Sequence, residues 1–144
     1  MGARAVEPSL ITLDSSAIYS LIDRRERSHT QVAEVLAADR GPYLVPAGIL
    51  AEIAYLLQTR LGARAIGGFL DDLAERRFVL DCGEDDLTRI RALVERYGDL
   101  PLGFSDAAVV ACAERRGGRV LTLDVRDFGI VAREGAISIL PSPE

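Results

Sequence analysis

The sequence predicts an α/β fold of three layers, with helices on both faces of a central, mainly parallel five-stranded sheet. Three observations predict it. Five short apolar runs rich in β-prone residues recur along the chain, interleaved with longer segments of helical spacing. Glycine or proline marks the changes of period, at Arg40-Gly41-Pro42, Gly62, Gly83, the Gly98-to-Gly103 loop and Gly117-Gly118. Strands separated by helices need crossover connections, which are right-handed and leave both sheet faces covered. At 144 residues the chain suits a single domain, 1–144, whose core needs no disulfide or metal staple.

The first strand, LITLD (10–14), passes directly into the helical run SSAIYSLIDR, whose hydroxyls suit capping. SHTQVAEVLAAD is the second helical segment, and YLV (43–45) is the second strand. PAGILAEIAYLLQTRL and ARAIGGFLDDLAERR follow as helices before the third strand, FVLDC (78–82). The Gly67-Gly68 pair weakens the second of these helices and predicts a kink or a close helix contact. EDDLTRIRALVERYG and SDAAVVACAERRG are helical, and VLTLD (120–124) and ISIL (137–140) complete the strands. Residues of about 1–8 and 141–144 read as flexible ends.

Composition removes several classes of chemistry. All 17 basic residues are arginine, so a P-loop lysine, a Schiff-base lysine and a kinase lysine are excluded together. Cys82 and Cys112 lie far apart without CxxC spacing, which excludes thiolate zinc and reads as two small buried residues. The single histidine, His29, sits in a polar stretch and reads as a surface residue, leaving a histidine-based triad without material. No apolar run approaches the roughly 20 residues of a membrane helix. MGARAVEPS lacks a signal-peptide core, so a cytoplasmic protein is expected. The net charge of −5 argues against broad electrostatic binding of nucleic acid. It leaves open nucleic acid reached through metal ions, which invert the local sign of an acidic cleft.

Most of the 22 acids fall beside polar residues on helix faces or starts; Asp71, Asp72, Glu75, Glu84, Asp85, Asp86, Glu95 and Glu114 read as solvated. Four acids stand apart. Asp14 and Asp124 end strand-like runs, and the carboxyl ends of strands are where open α/β sheets bind ligands. Glu52 lies among Ile49, Leu50, Ile53, Leu56 and Leu57, and Asp106 opens an almost wholly apolar helix. A carboxylate in such a segment is costly unless paired, hydrogen-bonded or metal-bound. Each has a structural alternative: Asp14 a helix cap, Glu52 an outward position, Asp106 a first-turn acid, Asp124 a turn initiator. Together, carboxylates without lysine, thiolate pair or histidine cluster form an oxygen-rich set that suits Mg²⁺ or Mn²⁺ and activation of water for phosphodiester cleavage.

LDSSAIYSLI, ILAEIAYLL, FSDAAVVACAERRGGRVLTLD and the following VRDF, in this order and spacing, resemble the PIN-domain ribonucleases, specifically the VapC-type toxins of toxin–antitoxin pairs. The resemblance spans nearly the whole chain. It implies a pocket of Asp14, Glu52, Asp106 and Asp124 binding one or two Mg²⁺ or Mn²⁺ ions, with Asp14 and Asp106 the most direct ligands. It implies endonucleolytic cleavage of structured RNA by water, with Ser16 and Thr122 orienting the acids. Asp127 competes with Asp124 for the fourth position. It further implies a homodimer and a cognate antitoxin lying in a groove offered by Ile18, Tyr19, Leu21, Tyr55 and Leu56, with Arg115, Arg116, Arg119 and Arg126 as candidate phosphate contacts. Core packing and solvated helix ends are the alternatives for these two sets.

A receiver-type signalling domain would need paired acids after the first strand and a lysine near the last, and neither is present. A PIN scaffold that binds a protein or RNA without cutting remains the alternative function. Cleavage of DNA, as in flap-type nucleases, is disfavoured by the short, acidic chain.

Overall fold

The computed structural model describes residues 9–100 and 102–141. Its sheet contains β1 (Ile11–Leu13), β2 (Tyr43–Pro46), β3 (Phe78–Asp81), β4 (Arg119–Leu121) and β5 (Ser138–Leu140) in the order β3-β2-β1-β4-β5. Every pairing is parallel. The three central strands are sealed on both faces, as parallel strands require: Ile11, Leu13, Leu44, Val45, Val120 and Leu121 are each no more than 1% exposed. The outer strands are less covered, and Leu80 of β3 is 41% exposed. The frayed ends expected over about 1–8 and 141–144 lie outside the described residues, apart from Pro141.

Among the described residues, seven helices flank the sheet: α1 (Ser15–Ile22), α2 (His29–Ala37), α3 (Leu50–Leu61), α4 (Ala63–Ala74), α5 (Leu87–Arg96), α6 (Phe104–Arg115) and α7 (Val125–Ala132). A 3₁₀ turn, Ala47–Ile49, joins β2 to α3. Helix α6 is the apolar centre of its layer: residues 107–113 are all buried, packed over β1 and β4. Helix α4 continues through Gly67-Gly68, anchored by Phe69 at 1% exposure. A Cβ at either glycine would meet nothing within 4 Å, so a close helix contact does not account for the pair.

Helix α7 was not anticipated. The sequence ran the fourth strand to Asp124, whereas the ladder stops at Leu121 and the chain leaves the sheet after Thr122 N–H bonds to Leu140 O at 3.0 Å. Two aspartates and Gly129 disguise the helix as loop, yet Phe128 and Val131 bury one stripe of it, at 0% and 2% exposure. Three smaller expectations also change. Cys82 is exposed, because edge strand β3 ends one residue before it, while Cys112 is buried under Thr12. His29 is half-buried and its Nδ1 bonds to Ser20 O at 2.9 Å, tying α2 to α1. Asp86 is 8% exposed rather than solvated, and Arg115 bridges it to Asp81.

Topology fixes where a ligand can sit. From central β1 the chain builds outward through β2 to β3, then returns to β1's other side for β4 and β5. The strand order therefore reverses between β1 and β4, and the crevice at their carboxyl ends is the binding position of this architecture. Asp14 follows β1 there, with its N–H bonded to Leu121 O at 3.0 Å, and the β4–α7 loop is the opposite wall.

Candidate active site

Asp14 occupies the N-cap position of α1, and its backbone carbonyl accepts from Ala17 and Ile18 N–H at 3.1 and 3.2 Å. Its side chain does not cap the helix. The carboxylate is instead 4% exposed and accepts at Oδ2 from Thr122 Oγ1 at 2.8 Å and from Ser16 Oγ at 2.9 Å. Each hydroxyl also accepts a backbone N–H from the β4–α7 loop, Asp124 N to Thr122 Oγ1 at 3.0 Å and Leu123 N to Ser16 Oγ at 3.0 Å. Those acceptances direct both hydroxyl protons toward Asp14. Burial raises the Asp14 carboxyl above its ordinary value, opposed by the Thr122 and Ser16 bonds.

Asp124 sits at the N-cap of α7, where its Oδ1 accepts the Asp127 N–H at 3.3 Å. Its position is thus a helix start rather than the strand end read from sequence. This turn brings Asp127 back toward α6, and Asp106, Asp124 and Asp127 place carboxylate oxygens within 4.8 Å of one another. Asp124 and Asp127, alternatives for one position in the sequence, lie side by side. Asp106 occupies the first turn of α6, half-buried. Its carboxyl is pushed up to about 6, first by burial and then by the charges of Asp14, Asp124, Glu52 and Asp127.

Glu52 reaches the group differently. In α3 the core stripe is Ile53 and Leu57, so Glu52 is exposed and not enclosed by its apolar sequence neighbours. Ser15 Oγ donates to Glu52 Oε1 and holds the carboxylate toward α1. Ser15 was missed in the sequence; its place beside Asp14 was the available signal. Among the described residues no arginine forms an ion pair with any of these five acids. Crowded carboxylates with fixed oxygens, and no ion-paired arginine among the described residues, are a donor set that fits a hard divalent ion.

Of the four arginines considered for phosphate contact, two are committed to other partners. Arg115 is committed to Asp81 and Asp86, and Arg119 to Asp39 and Ser9 at the opening of β4. Arg116 is exposed beyond the far end of α6. Arg126 alone of the four shares the first turn of α7 with the acids. Of the apolar residues considered for a partner groove, Ile18 and Tyr19 belong to the core, Leu21 and Leu56 are half-buried, and Tyr55 is 68% exposed.

The family model of the PIN domain matches residues 11–134. The chain belongs to the PIN domain family. It is 34% identical over 118 residues to Ribonuclease VapC26 of Mycobacterium tuberculosis (strain ATCC 25618 / H37Rv), covering 81% of this chain and 87% of that one. Its fold is similar to that of Mycobacterium tuberculosis VapC20, a toxin that cleaves the sarcin-ricin loop, with a TM-score of 0.75 at 20% identity, covering 84% of this chain and 94% of that one. It is also similar to a chain of DNA-bound VapBC from Salmonella typhimurium, with a TM-score of 0.66 at 20% identity over 92% of this chain and 97% of that one. VapBC2 from Rickettsia felis, bound to a promoter DNA fragment, matches with a TM-score of 0.64 at 18% identity, covering 90% and 96% of the two chains. No helix among the described residues is long and apolar enough to cross a membrane.

Proposed function

We propose that this PIN-domain chain is a divalent-cation-dependent endoribonuclease, the toxin of a toxin–antitoxin pair, with Mg²⁺ or Mn²⁺ as its ion. The observation that carries the reading is the convergence of five carboxylates, none ion-paired to an arginine among the described residues, on the crevice between β1 and β4. The relative named as a ribonuclease supports RNA as substrate, and the toxin named for cleaving the sarcin-ricin loop supports a structured target. The VapBC assemblies support a protein antitoxin as partner. A homodimer in the cytoplasm completes the proposal.

Asp106, Asp124 and Asp127 would hold the cation, with Asp14 and Glu52 completing the acidic wall. A bound divalent ion supplies positive charge to the phosphodiester and lowers the pKa of water. The protein's own part is to keep the acids in place. Thr122 and Ser16 fix Asp14 through Oδ2, which leaves Oδ1 outside both hydroxyl bonds. Ser15 orients Glu52, and the α7 cap sets Asp127 beside Asp124. Without a cation the wall repels phosphate, so RNA and ion are expected to bind together.

The test uses the chain free of antitoxin and a pool of structured cellular RNA. With Mg²⁺ or Mn²⁺, discrete fragments are expected that vanish with a chelator and with Asp106→Asn. Cleavage surviving Asp106→Asn would move the site elsewhere. RNA left intact across ions and concentrations, but retained on the protein, would favour the scaffold that binds without cutting.

A further inference from the structure

We infer that Gly48 is a positioning residue for the acid cluster: its missing side chain lets α6 sit directly on the Ala47–Ile49 turn, and that seat sets where Asp106 stands relative to Glu52 and Asp14. The inference rests on the metal-site reading given under Proposed function.

The turn and the helix meet almost without clearance. A Cβ built on Gly48 would lie 2.6 Å from the Ala108 Cβ and 3.3 Å from Phe104 Cε1. Ordinary contact begins at 3.4 Å, so the two elements would have to separate by about 0.8 Å to admit one methyl group. Ser105 Oγ donates to Gly48 O at 3.4 Å across the same junction. Ala108 lies two residues beyond Asp106 on α6, and Gly48 lies four residues before Glu52 at the head of α3. One contact therefore joins the two elements that carry the acids.

The direction of yielding follows from what pins each element. The turn is held by Ile49, and α3 behind it by Ile53 and Leu57, all at 0% exposure. The body of α6 is held by Val109, Val110 and Ala113, also at 0%. Its leading end is freer: Phe104 is 55% exposed, and the space around a Cβ on Gly103 is empty to 4 Å. Ala108 begins the second turn of α6, just ahead of the pinned Val109, so an added methyl would be relieved by displacing the helix end before Val109, which carries Asp106. Gly48 has no positive φ, so alanine meets no backbone strain there and the effect is steric alone. Shifts of about 0.5 Å already degrade a preorganised site.

The experiment measures Mn²⁺ affinity by electron paramagnetic resonance on full-length protein for the unsubstituted chain, Gly48→Ala, Ala108→Gly and the pair, with a melting curve for each. Gly48→Ala is expected to weaken Mn²⁺ binding by roughly 10-fold or more. Ala108→Gly in the same chain removes the opposing Cβ, and is expected to restore most of that affinity even though a helix glycine lowers the melting temperature. This opposition of affinity and stability is what a merely structural role would not produce. Unchanged affinity in folded Gly48→Ala overturns the inference, as does a loss that Ala108→Gly fails to repair. Absence of Mn²⁺ binding by the unsubstituted chain would overturn the metal-site reading itself, a separate and recognisable failure.

Discussion

The Thr122 hydroxyl donates to Asp14 Oδ2 at 2.8 Å, joining residues 108 positions apart that follow the neighbouring strands β1 and β4. Both are buried, at 0% and 4% exposure. Because Thr122 Oγ1 also accepts the Asp124 N–H, one side chain connects the acid after β1 to the loop that begins α7.

Thr122→Val keeps the shape and deletes both bonds. Asp14 loses a partner that lowers its raised pKa, and the Asp124 N–H loses its acceptor. A stability loss of about 1–3 kcal/mol is expected from such unsatisfied groups, together with weaker Mn²⁺ binding. Thr122→Ser should recover both. Denaturant unfolding with and without Mn²⁺ checks it, and a fully stable valine variant would show that the hydroxyl is dispensable.

Asp106→Asn should act in opposite directions on stability and function. In the ion-free protein Asp106 is a half-buried charge facing four other acids, so its neutral isostere relieves repulsion and raises the melting temperature in chelator near pH 7.5. The same substitution removes a carboxylate from the proposed cation site and should abolish RNA cleavage. A variant that melts lower than the unsubstituted chain in chelator would contradict the account of crowded, uncompensated charge.

The strands were legible in the sequence because β-prone apolar runs bounded by turn residues survive burial unchanged, as ITL and YLVP do. The acids were legible only as anomalies: Asp14 and Asp106 carried their signal in neighbouring residues. Glu52 was singled out for an apolar setting that the helix rotates away, since its contact is Ser15 rather than the core. The strand-like look of VLTLD hid the cap at Asp124, and with it the approach of Asp127 to Asp106. Asp86 looked solvated because its partner, Arg115, lies 29 positions away. Local pattern carries the elements; the pairs that span the chain are decided by topology.

The pH response of ion-dependent stability follows from the raised acids. Asp106 has a folded value of about 6 against an ordinary 3.8, so its contribution to stability is fully present below the unfolded value and is lost as pH rises through about 6. Asp14 shifts in the same direction. A divalent ion offsets that loss at pH 7.5, whereas at pH 5 it must displace a proton. The rise in melting temperature on adding Mn²⁺ should therefore be larger at pH 7.5 than at pH 5. An equal or greater rise at pH 5 would place the ion on groups other than these.

Arg115 supplies the contrasting case, an ion-paired network outside the acid cluster. Its guanidinium bonds to Asp86 at 3.0 and 2.9 Å and to Asp81 at 3.2 and 2.6 Å, and both carboxylates are largely buried. The network ties the end of α6 to the segment after β3. Arg115→Gln leaves Asp86 without its counter-charge and should cost about 2 kcal/mol, less than for a fully buried pair because Arg115 is itself 39% exposed. Mn²⁺ affinity measured below the melting transition should remain within about 3-fold of the unsubstituted chain, since 3-fold corresponds to under 1 kcal/mol. Raised salt should narrow the stability gap by weakening the pair in the unsubstituted protein. A large loss of Mn²⁺ binding in a folded Arg115→Gln variant would mean that the far end of α6 also governs Asp106, and that the helix transmits displacement along its length instead of yielding at the end before Val109.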